Sequence, residues 1–112
     1  MALFSKDTPD RRAEARRPAN TRGVVVAPGL ELACLIVDLS DQGMRIRLER
    51  NMTLPPEVVV IDVAASVAHE ARVLRRDGAE AGLKRLSQTR LGGLTPSRLT
   101  AARDAWLRAR GR

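Results

Sequence analysis

The chain is 112 residues long, with 20 Lys+Arg against 13 Asp+Glu and a formal net charge of +7. That length allows one domain with one modest core, and a hydrophobic content of 44% excludes a chain disordered by composition. A single cysteine, Cys34, excludes an internal disulfide and a CxxC zinc site, and a single histidine, His69, argues against a His-based metal site or a catalytic triad.

Residues 1–19 read as a polar arm carrying Arg11, Arg12, Arg16, Arg17 and two prolines, without periodic apolar positions. Such a segment cannot bury enough surface to offset its ordering entropy, so it is expected to be flexible until an anion holds it. No apolar run approaches the roughly 18–20 residues of a membrane helix. Met1–Lys6 lacks the basic-then-apolar order of a signal peptide. With a free thiol added, the expectation is a soluble protein of the reducing cytoplasm.

From residue 21 the texture becomes short β-type runs. Thr21–Ala27 ends at the Pro28-Gly29 turn signal. Glu31–Leu39 places Leu32, Cys34 and Ile36 on one face and Ala33, Leu35 and Val37 on the other, which predicts a strand covered on both sides. Ser40–Gly43 is a turn. Met44–Glu49 alternates, with Met44, Ile46 and Leu48 inward and Arg45, Arg47 and Glu49 outward. Pro55-Pro56 interrupts the chain before Glu57–Val63. His69–Arg76 and Ala81–Leu86 follow, joined through the hairpin dipeptide Asp77-Gly78. Six short strands, mostly in sequential hairpin order, fit a closed or nearly closed antiparallel barrel, which removes sheet edges.

After Gly92-Gly93 the period changes. Thr95 is expected as N-cap and Pro96 as first helical residue. Leu99, Ala102, Trp106 and Ala109 share one helical face, predicted to pack on the barrel, and Asp104 can pair with Arg108 at i, i+4. The expected organisation is a single domain over 1–112: a basic arm (1–19), a β-barrel (20–91), and a helix with tail (92–112).

Two constellations carry chemistry. Arg12 and Arg16 form an RxxxR pair, extended by Arg11 and Arg17. Taken alone it reads as a solvated charge run, since such pairs arise by chance in an arginine-rich chain. Arginine's planar fork nevertheless suits phosphate, a guanine O6/N7 edge, or the face of a base. Asp38, Ser40 and Gly43 form a DxSxxG pattern at a strand end. Asp38 can accept from a purine N–H and Ser40 can donate or accept. Gly43 offers a position for φ > 0 or for close approach of a ligand. Taken alone this is an ordinary turn.

Together, in this order and in this β context, the chain resembles the PilZ family of cyclic di-GMP receptors, in a compact single-domain form. The resemblance rests on Arg12 and Arg16, on Asp38, Ser40 and Gly43, and on the apolar strand Cys34–Ser40 that leads into the second motif. It runs from about Asp10 to Leu86. The family's last strands often carry an aromatic residue; Val73–Arg76 and Gly82–Leu86 carry none. The resemblance implies a six-stranded antiparallel barrel with a flexible arm and a C-terminal helix, and a receptor rather than an enzyme. It makes cyclic di-GMP the ligand, held by Arg12, Arg16, Asp38, Ser40 and Gly43, with Arg11, Arg17 and Arg45 in secondary roles. It further implies no cofactor, no metal, and an unidentified downstream protein in the control of motility or surface attachment.

The remaining candidates read as structural. His69 has no partners at metal spacing, Cys34 is a small buried side chain, and Met44 is core. Arg98, Arg103, Arg108, Arg110 and Arg112 crowd the helix and tail as a solvated face or a docking surface. The competing reading is a basic nucleic-acid-binding protein, prompted by the +7 charge. Against it stand the missing stacking platforms: Phe4 and Trp106 are the only aromatic residues. A PilZ-type module that binds protein alone is a third reading, which the intact motifs oppose. No nucleophile with a base and no phosphate-cradling glycine loop points to catalysis.

Overall fold

A computed structural model describes residues 17–111, with residues 17–19 described by backbone alone. Six strands form: β1 (Arg17–Ala27), β2 (Leu30–Leu39), β3 (Gly43–Leu48), β4 (Glu57–Asp62), β5 (Val67–Asp77) and β6 (Glu80–Arg90). They close into an antiparallel barrel in the order β1-β2-β3-β6-β5-β4. Helix α1 (Thr100–Arg110) follows a short 3-10 turn, Ser97–Leu99. The expected barrel and C-terminal helix are therefore both present.

Two three-stranded meanders build the barrel. β1-β2 turns at Pro28-Gly29 and β5-β6 at Gly78-Ala79, where Gly29 (φ 72°) and Gly78 (φ 62°) take the left-handed backbone a tight turn needs. Sequential pairing stops at β3. Rather than pairing with β4, β3 pairs with β6 from Gly43↔Lys84 to Arg47↔Glu80, and β1 closes on β4 from Gly23↔Asp62 to Val26↔Val59. The prolines of the 49–56 connection withhold ladder donors, so this stretch crosses the barrel end instead of folding back as a hairpin. Met52 and Leu54 pack against the core from it, and Arg76 donates to the Met52 carbonyl at 2.7 Å.

The barrel interior is filled by alternate residues, among them Val25, Leu32, Ile36, Ile46, Val60 and Leu83. Each such side chain contributes about 1.5–3 kcal/mol relative to exposure. Met44, Ile46 and Leu48 are buried while Arg45, Arg47 and Glu49 are exposed, as the alternation predicts. Cys34 is buried in this core, and desolvation pushes its thiol up to about 12.

A second cluster lies outside the wall. Leu99, Ala102, Ala105, Trp106 and Ala109 pack on Val24, Val26, Ile61, Val63, Ala68 and Leu91. The Trp106 Nε1–H donates to the Val63 carbonyl at 3.3 Å, and the Arg110 guanidinium sits 4.7 Å from the ring centroid.

Four details correct the sequence reading. β1 begins at Arg17, within the stretch assigned to the flexible arm, because Arg17 and Pro18 pair with Leu39 and Asp38. The outer side of β2 is not covered: Ala33 and Leu35 are exposed, since the helix spans β1 and β4 instead. Thr95 is not an N-cap; its hydroxyl donates to the Gly93 carbonyl at 3.3 Å, and the Pro96 carbonyl starts a 3-10 turn by accepting from Leu99 N–H at 2.9 Å. The expected Asp104–Arg108 pair gives way to a fork from Arg108 onto Glu31 of β2, because the barrel offers a carboxylate that both guanidinium edges reach.

Candidate functional site

The turn between β2 and β3 is built by the DxSxxG residues. The Ser40 N–H donates to the Gly43 carbonyl at 2.9 Å. The Ser40 hydroxyl lies 3.2 Å from both the Gly43 carbonyl, to which it donates, and the Gly43 N–H, from which it accepts. Serine thus closes the loop on both sides, as short hydroxyl side chains do in turns.

Gly43 does not have positive φ. It is needed for close approach: a Cβ there would meet the Leu83 carbonyl oxygen of β6 at 3.2 Å. Of the two expectations for Gly43, left-handed backbone is not met, and the close neighbour observed is the backbone of β6.

Asp38 is buried at the barrel rim, 8% exposed, and its carboxylate lies 3.2 Å from Arg45 Nη2. A bulge explains the pairing. Ile36 pairs with Ile46 and Asp38 with Arg45, leaving Val37 as an extra residue that re-aims Asp38. A second bulge, between Pro18 and Thr21 on β1, sits beside it. Asn20 has φ 46°, a conformation that asparagine tolerates better than most residues. Bulges gather at barrel rims and next to functional sites, and here they gather around the DxSxxG turn.

The structure brings Asp38, Ser40, Gly43 and Arg45 together at one barrel end. Arg17 is placed by its backbone, opposite Leu39. Arg11, Arg12 and Arg16 lie outside the described residues.

Arg85 is a site residue that sequence reasoning missed. Its backbone N–H donates to the Gln42 carbonyl at 2.9 Å, and its guanidinium donates to the Ser40 carbonyl and to Gln88 Oε1. Two backbone carbonyls of the turn, Gln42 and Ser40, are thus fixed to β6, and the bond to Gln88 within β6 steadies the guanidinium. The only sequence signal was an arginine in an otherwise ordinary strand. Arg85→Met is expected to cost about 1–2 kcal/mol in stability and to speed amide exchange at Ser40 and Gly43. Unchanged exchange there would show that the serine hydroxyl holds the turn unaided.

The polar side of this end continues inward. His69 is 3% exposed, and its Nδ1 finds no hydrogen-bond partner. Burial, then the charge of Arg85, push its pKa down to about 4, with Asp62 opposing. At neutral pH it is an uncharged core residue, in line with the structural reading. Among the described residues no three His, Cys, Asp or Glu side chains gather as a metal set, and no helix is long and apolar enough to cross a membrane.

The C-terminal arginines mostly serve the fold. Arg98 reaches Glu70 at 3.0 Å, Arg108 reaches Glu31, and Arg110 covers Trp106. Glu70 is held below the usual carboxylate range by its hydrogen bonds from Arg98 and Ser87. Exposed pairs of this kind contribute little to stability but fix side-chain positions.

Compared with known families, residues 10–94 match the family model described as PilZ domain. No curated protein and no solved structure matches the chain.

Proposed function

This chain belongs to the PilZ domain family, and from that membership we propose that it is a cyclic di-GMP receptor. The observation that carries the reading is the pairing at the mouth of the barrel. Arg17 pairs with Leu39 and Pro18 with Asp38, so β1 starts against the strand end that bears the DxSxxG motif. Arg16 precedes Arg17 directly in sequence, one Cα step of about 3.8 Å away. The RxxxR motif therefore directly precedes, in sequence, the strand that pairs with the DxSxxG strand end, which supports the reading.

In this reading Arg12 and Arg16 meet the phosphodiester groups and guanine edges, while Asp38 and Ser40 hold a guanine against the rim. Arg11 and Arg17 are secondary contacts. Binding orders the segment before β1 because the ordered form makes contacts that the free form lacks. The reshaped surface then engages a downstream protein in control of motility or surface attachment, in the cytoplasm.

Calorimetric titration with cyclic di-GMP tests the first step. Binding at micromolar ligand is expected, and no heat at tens of micromolar would sink the reading. Arg12→Ala and Arg16→Ala should each weaken binding by about 1–3 kcal/mol. Wild-type affinity in both variants would refute the assignment of those residues.

The alternative, nucleic-acid binding, drew its best support from the basic helix. Arg98, Arg108 and Arg110 are engaged with Glu70, Glu31 and Trp106, which removes much of that support.

A further inference from the structure

Beside the Ser40–Gly43 turn, on the outer wall of the barrel, lies a groove of about 410 Å³. Arg45 of β3, Arg75 of β5 and Lys84 of β6 line it together with Ser40, Gly43 and Gly82. The strand register explains why three cations converge there. Arg45 pairs with Gly82, and Gly82 pairs with Arg75, so two arginines flank a glycine on one cross-strand row. With strands about 4.8 Å apart, the arginine Cα atoms stand roughly 10 Å from each other. Lys84 lies two residues along β6 from Gly82, on the same face and roughly 7 Å away.

Gly82 shapes the groove. A Cβ at this position would lie 3.1 Å from Arg75 Nε and 3.2 Å from Arg75 Cγ. The Arg75 side chain is therefore laid flat over bare backbone, and any other residue at 82 would have to displace it.

The bulge on β5 turns Arg75 outward. Val73 pairs with Leu83 and Arg75 with Gly82, so Leu74 is an inserted residue. Val73 packs against the barrel core. Without the insertion Arg75, two residues on, would follow Val73 inward.

Among the described residues, two of the cations in this groove lack the carboxylate partner that other arginines of the wall, Arg47 and Arg72, possess. Arg47 is answered by Glu80 at 2.8 Å and Arg72 by Glu57 at 2.9 Å. Arg45 is answered by Asp38 on its β2 side. Arg75 and Lys84 form no ion pair among the described residues. The next acids along these strands, Asp77 and Glu80, pair with each other two positions further on and line a neighbouring hollow that Arg45 and Arg75 also border.

We propose that Arg75 and Lys84, together with Arg45, form an anion subsite that takes a phosphodiester group of the nucleotide seated on the Ser40–Gly43 turn. The proposal rests on the cyclic di-GMP reading above and adds two residues to it that neither motif contains. An arginine already extended along backbone loses little freedom when its fork closes on a phosphate. Lys84 supplies a point charge at the same end.

The test is titration of cyclic di-GMP at two salt concentrations into wild type, Arg75→Ala, Arg75→Lys and the double variant Arg75→Ala/Lys84→Ala. Both positions are exposed, so unchanged circular dichroism and melting are expected for all. Arg75→Ala should weaken binding about tenfold, and the double variant should weaken it further and flatten its salt dependence. Arg75→Lys should recover only part of the loss, because an ammonium cannot fork. Wild-type affinity and salt dependence in the double variant would overturn the subsite while leaving the receptor reading intact. Absence of binding in wild type would overturn both, as would salt-steep binding of a single-stranded oligonucleotide without response to cyclic di-GMP.

Discussion

Replacing Trp106 with alanine is expected to lower the free energy of unfolding by about 3–5 kcal/mol, as large aromatic deletions in packed cores do. The indole is 4% exposed and fills the seam between α1 and the β1/β4 wall. Its neighbours there, Ala102, Ala105 and Ala109, are small, and the rigid barrel wall cannot collapse into the space left behind. The variant also leaves the Val63 carbonyl without its donor and Arg110 without its ring. Trp106→Phe retains most of the volume and should cost less, with about 1 kcal/mol from the lost hydrogen bond. Urea unfolding followed by far-ultraviolet circular dichroism reads both numbers. A loss below about 1 kcal/mol in Trp106→Ala would show that the helix adds little to the barrel.

Acidification is the second large effect. His69 has a folded pKa lowered from 6.5 to about 4 by burial and by Arg85. Between those values the unfolded chain binds a proton that the folded chain refuses, so stability rises with pH across this window. The contribution is full above about pH 6.5 and is lost progressively as pH falls towards 4, below which both states are protonated. Its size is about 3 kcal/mol at most. Because carboxylates begin to titrate near the lower end, the informative quantity is the difference between wild type and His69→Met. The wild type should lose stability between pH 6.5 and 4.5 more steeply than the variant. Parallel profiles would mean that the ring is not held neutral in the barrel.

The strands were legible because side-chain alternation reports burial directly. Met44, Ile46 and Leu48 read as inward and are inward. The helix face of Leu99, Ala102, Trp106 and Ala109 was legible for the same reason at a period near 3.6. The bulges were not legible. An inserted residue such as Val37 or Leu74 leaves no mark in a run of ordinary strand residues, and its consequence appears only when the partner strand is laid alongside. The exposed outer side of β2 was misread because an apolar pattern says that a face can be buried, whereas the position of α1 decides whether it is.

Of the candidate site, the motif turn was readable from Asp38, Ser40 and Gly43, because turns are built from local chemistry. The reason for Gly43 was not, since the Leu83 carbonyl that crowds it lies on a strand about 40 residues away. Arg85 and Arg75 were invisible for the same reason. One reaches the Ser40 carbonyl and the other lies across Gly82, contacts that only the β3-β6 and β5-β6 pairings create.

By itself, then, the sequence determined the number of strands, the faces they bury, the C-terminal helix, and a basic segment followed by a DxSxxG turn. Those properties follow from local periodicity and from residue chemistry within a few positions. The tertiary structure decided the barrel order, in which β3 passes over β4 to pair with β6. It also decided the division of the arginine excess: Arg98 and Arg108 neutralised by glutamates of the barrel, Arg110 laid on Trp106, and Arg75 and Lys84 turned into an open groove beside the motif. Charge is counted along a chain, but whether it is paired or available depends on which carboxylates the fold brings within reach.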